Sequence, residues 1–391
     1  MNVIRNGSIP TMLATVALVP ALLSACTTLP TPVDIASVSK ADTVEVNRTL
    51  SNIFTEHKIN TAAIAVIKNG EVDWTYHYGQ QSPGVSASEN TLYDVGSITK
   101  TAVAETILRL SADGKLSLDE SMSAHWLDPD LKDDPRHPQL TPRMALSHTT
   151  GFLNWRFFAD DGKLTFMNDP GTRFGYSGEG FSYLTKFAAA KLEEPFDQLV
   201  RRYVFEPSDI DNASLVVEPE NFDLIAQALD ADGKFYGHYC RPEGWCRKAG
   251  SFSAAGGMVI SLNDYTGFLI RTMTGAGLTP ALTAERNTLL SEQDAIDCSQ
   301  VPEALCPIRV GYGLGWNITE LPNNKTIGHR GSDWSVVSLG YYYENSKDGL
   351  VILLNAPNRA GIAAMVDALQ LLDPDSPELH GYIARRARAK N

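Results

Sequence analysis

Positive charge is scarce in this chain. Across 391 residues, 33 Lys and Arg stand against 46 Asp and Glu, a formal net charge of -13. A surface that binds phosphates needs an excess of Lys and Arg, so the balance argues against nucleic acid or an anionic membrane surface as the main partner. Metal-ligand spacings are missing too. The 8 histidines form no His-x-x-x-His or Glu-x-x-His pair, and the cysteines lack zinc-ribbon spacing, so no metal site is expected. The Gly-x-Ser-x-Gly elbow of α/β-hydrolases is absent, because Gly175-Tyr176-Ser177-Gly178 runs on into Glu179. There is no internal repeat, and low complexity is confined to a Thr/Pro/Ser-rich stretch at 27–41. What remains is an ordinary globular composition, 43% apolar and 20% charged, at a length that suits two domains or one large one.

The long uncharged run lies near the N-terminus. Arg5 gives a charged start, residues 9–25 carry no charge, and Met12 to Leu23 is mostly apolar. Pro20 and the short length argue against a spanning helix. The pattern reads as a secretory signal peptide over 1–25. Its end, Leu23-Ser24-Ala25-Cys26, resembles the lipobox of bacterial lipoproteins, where the cysteine is lipidated and heads the mature chain. Thr27 follows, where an aspartate would signal retention in the inner membrane. The resemblance implies a membrane anchor at Cys26, a tether over 26–42 and a place in the bacterial envelope, on the outer membrane facing the periplasm. A signal cleaved elsewhere, with Cys26 incidental, is the alternative. The other cysteines, Cys240, Cys246, Cys298 and Cys306, fall in two close pairs that an oxidising compartment would join. Local pairing, Cys240 with Cys246 and Cys298 with Cys306, closes short loops and is the first of three connectivities.

Periodicity gives the layout. Val44, Val46, Leu50, Ile53 and Phe54 have helical spacing within 43–57. Thr61 to Lys68 and Val72 to Tyr78 read as strands joined by Asn69-Gly70, a strong hairpin signal. The stretch from about 106 to 250 is rich in helical patterns broken by Asp, Pro and Gly clusters. Strands return at Thr326 to Gly328, Ser335 to Tyr343 and Leu350 to Leu354, with an amphipathic segment from Ile362 to Leu372. Strands at both ends predict one sheet built from the two termini, with a helical insertion, in a domain spanning 43–391.

The chemistry centres on Tyr93-Asp94-Val95-Gly96-Ser97-Ile98-Thr99-Lys100. Apolar residues at 103, 104, 107, 108 and 110 continue it as a helix, and Asp113-Gly114 reads as its stop. Ser97 and Lys100 are nearly one helical turn apart and share a face. A serine hydroxyl thereby gains an amine that can take its proton. Its own N–H lies at a helix N-terminus, where developing negative charge is stabilised. Ser-x-x-Lys alone arises by chance, as Ser37-Val38-Ser39-Lys40 shows in a stretch without apolar periodicity. Taken alone, Ser97 and Lys100 also fit a helix cap followed by a surface lysine.

Five further segments add weight. They are Leu146-Ser147-His148-Thr149-Thr150-Gly151-Phe152, Pro170 to Gly178 with Tyr176 in a Gly-rich loop, and Ala254-Ala255-Gly256-Gly257-Met258. Gly311-Tyr312-Gly313-Leu314-Gly315-Trp316 and Gly328-His329-Arg330-Gly331-Ser332 complete the set, the last opening a strand. In this order and spacing, the six segments together resemble the serine β-lactamase and penicillin-binding-protein family, in its class C-like branch. That branch also holds D-Ala-D-Ala carboxypeptidases, D-aminopeptidases and esterases. The resemblance covers most of the chain. It implies an α/β (α+β) fold, an antiparallel sheet flanked by helices with an inserted helical subdomain. It implies a periplasm-facing serine hydrolase that needs no cofactor and takes a small-molecule or short peptide substrate.

By position, Ser97 resembles the nucleophile and Lys100 its amine partner. Tyr176 resembles a proton-exchanging tyrosine, which calls for a phenol pKa drawn down by Lys100 and His329. His329 stands for the lysine of the family's Lys-Thr-Gly triplet and holds a carboxylate only as far as its pH-dependent charge allows. Ser332 and Gly331 line the substrate, with the N–H groups of Ser97 and Ser332 as oxyanion hole, and Arg330 offers a permanent charge. His148 is expected to brace a helix start. One position departs from the pattern. Class C β-lactamases carry an asparagine two residues after the tyrosine, where its amide holds the substrate's side-chain amide. Here that place is Gly178, with Glu179 as a neighbouring substitute. The loss argues against efficient β-lactam hydrolysis and for an ester or small amide; the expected substrate is a D-alanyl peptide, a D-amino acid amide or a short ester. A true class C-like β-lactamase is the alternative within enzymes, and a penicillin-binding or sensor protein without turnover is the alternative outside them.

Overall fold

The structure is a computed structural model that describes residues 42–293, 298 and 303–388. The signal segment, Cys26 and the tether up to residue 41 lie outside the described residues. In chain order the helices are α1 (Asp42–Glu56), α2 (Thr99–Ala112), α3 (Pro142–Leu146), α4 (Gly178–Leu192), α5 (Phe196–Val200), α6 (Leu262–Met273), α7 (Pro280–Arg286), α8 (Asn358–Leu372) and α9 (Pro377–Arg388). The strands are β1 (Thr61–Lys68), β2 (Glu71–Ser82), β3 (Val85–Ser86), β4 (Leu92–Asp94), β5 (Ala213–Ser214) and β6 (Val259–Ser261). They continue with β7 (Ser291–Glu292), β8 (Arg309–Tyr312), β9 (Asn317–Glu320), β10 (Lys325–Asp333), β11 (Val336–Tyr343) and β12 (Gly349–Asn355).

Among the described residues, nine strands form one sheet in the order β3-β2-β1-β12-β11-β10-β9-β8-β7, and its pairs are antiparallel. The two ends of the chain meet where β1 pairs β12, with Ile64 opposite Ile352. The β1–β2 hairpin turns at Asn69-Gly70, both at positive φ (51° and 79°), as a tight two-residue connection requires. A three-stranded sheet, β4-β6-β5, lies beside the start of α2.

The long sheet separates two apolar cores. Ala62, Ile64 and Val66 of β1 pack with Leu50 and Phe54 of α1 and Leu369 of α8. Ala63, Ala65 and Ile67 face the other way, toward α2 and the helical region. Burial on both faces explains why β1, β11 and β12 read as apolar runs instead of alternating. β10 and β12 are longer than their sequence signal, β11 starts one residue later than read, and His329 to Ser332 sit in the second half of β10, not at its start. Within 106–250, helices α3, α4 and α5 fill the first part, and residues beyond about 206 run mostly as loops and short turns.

Helix α2 is buried almost throughout, from Thr99 to Leu110. Its buried Glu105 is matched by Arg286, Nη1 to Oε1 at 3.1 Å, and by the Trp316 indole N–H, also at 3.1 Å. A charge taken out of water needs such partners. Two disulfides are present among the described residues, Cys240–Cys246 and Cys298–Cys306, the local pairing.

Candidate active site

A short turn, Gly96–Ile98, brings the chain from β4 into α2 and carries Ser97. Neighbours fix it from three sides. The Val95 N–H donates to Met258 O at 3.1 Å, the Ser338 hydroxyl donates to Val95 O at 2.8 Å, and the Thr99 hydroxyl donates to Gly96 O at 2.6 Å. The Gly96 N–H donates to Asp94 Oδ1 at 2.8 Å, and burial beside Asp333 pushes the Asp94 carboxyl up to about 6.

Lys100 lies on the same face, as its spacing predicts. Its Nζ is 3.1 Å from Ser97 Oγ and donates to Ala255 O at 2.7 Å. The side chain is fully buried, and loss of hydration pulls the amine down to about 7. Near neutral pH, much of Lys100 is therefore a free amine within reach of the serine hydroxyl.

Tyr176 arrives from the loop before α4. The Gly175 N–H donates to His148 O at 2.8 Å and the Ser177 N–H donates to His148 Nδ1 at 3.1 Å. Ser177 then caps α4 by accepting from the Gly180 N–H at 3.0 Å. His148 thus braces the start of a helix, and its ring packs 4.4 Å from that of Tyr176. The Tyr176 hydroxyl shares a hydrogen bond with Ser97, and Lys100 Nζ lies 4.9 Å from its ring centre. Burial pushes the phenol up to about 12, and the Ser97 contact offsets this only in part. The expectation of a lowered phenol pKa is therefore corrected. Desolvation outweighs the hydrogen bond to Ser97, and Tyr176 keeps its proton at neutral pH.

His329 is buried on β10. Its Nδ1 donates to Arg330 O at 2.7 Å, since a carbonyl only accepts, and Nε2 accepts from the Tyr312 hydroxyl at 3.4 Å. Burial and the neighbouring Lys100 pull its pKa to about 3. It is a neutral imidazole across the physiological range, so the pH-dependent charge expected of it is absent.

The expected oxyanion side lies where β10 meets the Ser97 turn. A Cβ on Gly331 would overlap the Val95 carbonyl oxygen, and one on Gly96, at φ +52°, would lie 3.0 Å from Ser332 N. The backbones of Ser97 and Ser332 are thereby set side by side. Asn358, at the start of α8, donates to the Ser332 hydroxyl at 2.5 Å and to Asp333 O at 3.1 Å, which holds this end of β10. Ser97, Lys100, Tyr176, His329, Gly331 and Ser332 line one cleft of ≈1230 Å³.

Comparison with known proteins shows the family and the fold. The family model described as Beta-lactamase matches residues 46–373. The chain belongs to the beta-lactamase family. It is similar to a beta-lactamase of Pseudomonas fluorescens, 26% identical over 201 residues, which cover 48% of this chain and 55% of that protein. It is also similar to a beta-lactamase of Providencia stuartii, 28% identical over 169 residues, 40% of this chain and 43% of that protein. The chain spans about half the length of the curated relatives it matches. Among solved structures, the octameric penicillin-binding protein homologue from Pyrococcus abyssi superposes with a TM-score of 0.68 at 21% identity, over 89% of this chain and 81% of that one. A class C beta-lactamase variant superposes at 0.66 and 18% identity, over 85% of this chain and 97% of that one. At such identities these two likenesses concern the fold.

Within this beta-lactamase-family cleft, three positions differ from the sequence expectation. Gly178 is not an empty place. A Cβ there would lie 2.6 Å from Cη2 of Trp155, so the indole covers the glycine. Glu179 is not a substitute for the missing amide, because its carboxylate accepts from Arg156 Nη2 at 2.9 Å and from the Arg156 N–H at 3.1 Å. Arg330 does not bring its charge to the substrate. Its side chain alternates away from His329, pairs with Glu378 of α9 and stacks 5.6 Å from the Tyr382 ring. Sequence reasoning also missed Trp155, the Ala255 carbonyl and the pairing of Tyr312 with His329. Ala255 and Tyr312 lie within segments that carry the family resemblance; Trp155 has no local signal.

Proposed function

We propose that the chain is a serine acyl-hydrolase that works through an acyl-enzyme on Ser97. Its substrate is a short ester, a D-amino acid amide or a D-alanyl peptide, with substrates that lack an acylamino group favoured. One observation carries the reading: a desolvated Lys100 amine with a pKa of about 7, 3.1 Å from Ser97 Oγ. That is a base matched to neutral pH and within reach of the proton it must take.

The steps follow from the groups at hand. Ser97 Oγ attacks the substrate carbonyl while its proton passes to Lys100. The C–O bond that forms leaves negative charge on the carbonyl oxygen, facing the N–H groups of Ser97 and Ser332. The tetrahedral state collapses, the bond to the alcohol or amine breaks, and the leaving group takes a proton from the Lys100–Tyr176 pair. A protonated Tyr176 suits the role of donor. Water then attacks the acyl-enzyme as its proton passes to Lys100; the bond between the acyl carbon and Ser97 Oγ breaks, Ser97 takes that proton back from Lys100, and the acid leaves.

Two features support esters and small amides over β-lactams. At Gly178 the carbon edge of the Trp155 indole, Cη2, Cζ2 and Cζ3, stands where the resemblance calls for an amide, and that edge offers no hydrogen bond. An unpaired buried amide costs about 1–3 kcal/mol. His329 is neutral, and Arg330 is paired with Glu378, so neither supplies a free cation for a substrate carboxylate. A β-lactamase is the second reading, favoured by the names of the two curated relatives.

The test compares kcat/KM for a nitrophenyl butyrate, nitrocefin and a D-Ala-D-Ala peptide. The ester is expected to lead nitrocefin by at least tenfold, and the reverse order would establish the second reading. Covalent labelling by a fluorophosphonate should vanish in Ser97→Ala and persist in Ser37→Ala. A burst without steady turnover on every substrate would instead identify a binding or sensor protein. The lipobox-like sequence at 23–26 supports a lipid-anchored form of this hydrolase in the bacterial envelope, on the outer membrane facing the periplasm.

A further inference from the structure

One wall of the cleft is built by a disulfide-closed hairpin. Cys240 and Cys246 face each other as an antiparallel bridge and are joined by their sulfurs. Inside it, the Arg241 N–H donates to Trp245 O at 2.8 Å and the Gly244 N–H donates to Arg241 O at 2.9 Å. Outside it, the Arg247 N–H donates to Tyr239 O at 3.1 Å. A clip this tight gives its side chains fixed positions, as a recognition surface requires.

A file of stacked groups runs from the catalytic tyrosine to this hairpin. Trp155 covers Gly178, two residues from Tyr176. Phe157 stacks on Trp155, with ring centres 6.0 Å apart and planes 11° apart. The Arg241 guanidinium lies 5.8 Å from the Phe157 ring and 5.1 Å from the Trp245 ring, bridging the two walls. All four side chains line the same cleft as Ser97. Phe157 and Trp245 are each 56% exposed, although burying an aromatic ring is strongly favourable. Two loops far apart in sequence thus hold half-bare aromatic faces toward one cleft, with a cation between them.

Resting on the reading that Ser97 is acylated, we propose that this file is the substrate-selecting subsite and that it takes an aromatic ring carried by the ester. A flat ring gains from offset stacking on Phe157 and Trp155 and from the Arg241 cation over its face. A saturated ring of similar size gains only from burial. The ring can belong to the acyl part or to the alcohol part, and the chemistry that recognises it is the same.

The experiment measures kcat/KM for methyl phenylacetate against methyl cyclohexylacetate, and for benzyl acetate against cyclohexylmethyl acetate. In each pair, aromaticity changes while size stays similar. The wild type is expected to favour the aromatic member of at least one pair by about tenfold, and the responding pair tells which side of the ester binds. That advantage should fall to about twofold or less in Phe157→Ala/Trp245→Ala. Both side chains are exposed, so the variant should fold, and a ratio of two substrates cancels any general change in catalysis. No aromatic advantage in the wild type, or one that persists in the double variant, overturns the proposal. If no ester is turned over, the acyl-hydrolase reading fails on its own. Binding of phenylacetamide against cyclohexylacetamide to Ser97→Ala protein, read by calorimetry, then decides the subsite: equal affinities overturn it, and an aromatic preference lost in the added double variant supports it.

Discussion

Gly331 rests against the backbone carbonyl of Val95, so closely that no side chain fits between them. This contact seats β10 on the turn that carries Ser97, and it sets Ser332 N beside Gly96. Gly331→Ala should push the strand away and remove one oxyanion donor from reach of the substrate oxygen. The expected loss in kcat is about 10²–10³-fold, the usual effect of deleting one such donor. Steady-state kinetics on the preferred ester, beside a thermal melt, would check it. A variant with full kcat would mean that Ser332 does not bind the oxyanion.

The pH profile follows from Lys100. Its pKa in the folded chain is lowered by burial to about 7, and the free amine is the form that takes a proton. Activity should therefore be low while the lysine is an ammonium and rise with pH through about 7. It should stay level toward high pH, because burial keeps Tyr176 protonated up to about 12. His329 adds no limb near neutrality, since its pKa is about 3. kcat/KM against pH reports the free enzyme. A rising limb centred near the ordinary lysine value would show that Lys100 is hydrated in the working enzyme.

Glu105 and Arg286 form an ion pair inside the protein, with both side chains 0% exposed. Arg286→Met would leave the carboxylate of α2 buried with only the Trp316 N–H as partner. Breaking a buried pair from one side costs about 3–5 kcal/mol, whereas replacing both partners by apolar groups costs less. Urea unfolding should rank Arg286→Met below Glu105→Leu/Arg286→Met in stability. The opposite order would mean that the pair itself stabilises the fold.

Cys26→Ser tests the envelope assignment. Without acyl chains, the protein should move from the membrane fraction to the soluble periplasmic fraction, because those chains supply the membrane affinity. Retention of an unprocessed form in the membrane would show that the N-terminal segment acts as an anchor.

Local features of the sequence predict local structure well. The Asn69-Gly70 turn, the strand at 61–68 and the stop at Asp113-Gly114 depend on backbone preferences of a few adjacent residues. Ser97 and Lys100 meet because helical spacing alone aligns them, and the order of six segments carries the family resemblance in the sequence itself. The extent of β10 was less legible, since Gly328, Gly331 and the charged Arg330 interrupt its apolar pattern, and pairing with β9 and β11 completes it.

The sequence by itself determined which groups are available: a serine, an amine one turn away, a tyrosine, a histidine, and a glycine two residues after the tyrosine. Only the tertiary structure decided their states and surroundings. Burial under elements far along the chain lowers the Lys100 amine to about 7. The same burial keeps Tyr176 protonated and His329 neutral. Glu378, 48 residues away, takes the charge of Arg330, and Trp155 fills the space over Gly178. Hydration and Coulomb fields depend on distance in space, and residues that are near in space here are mostly remote in sequence.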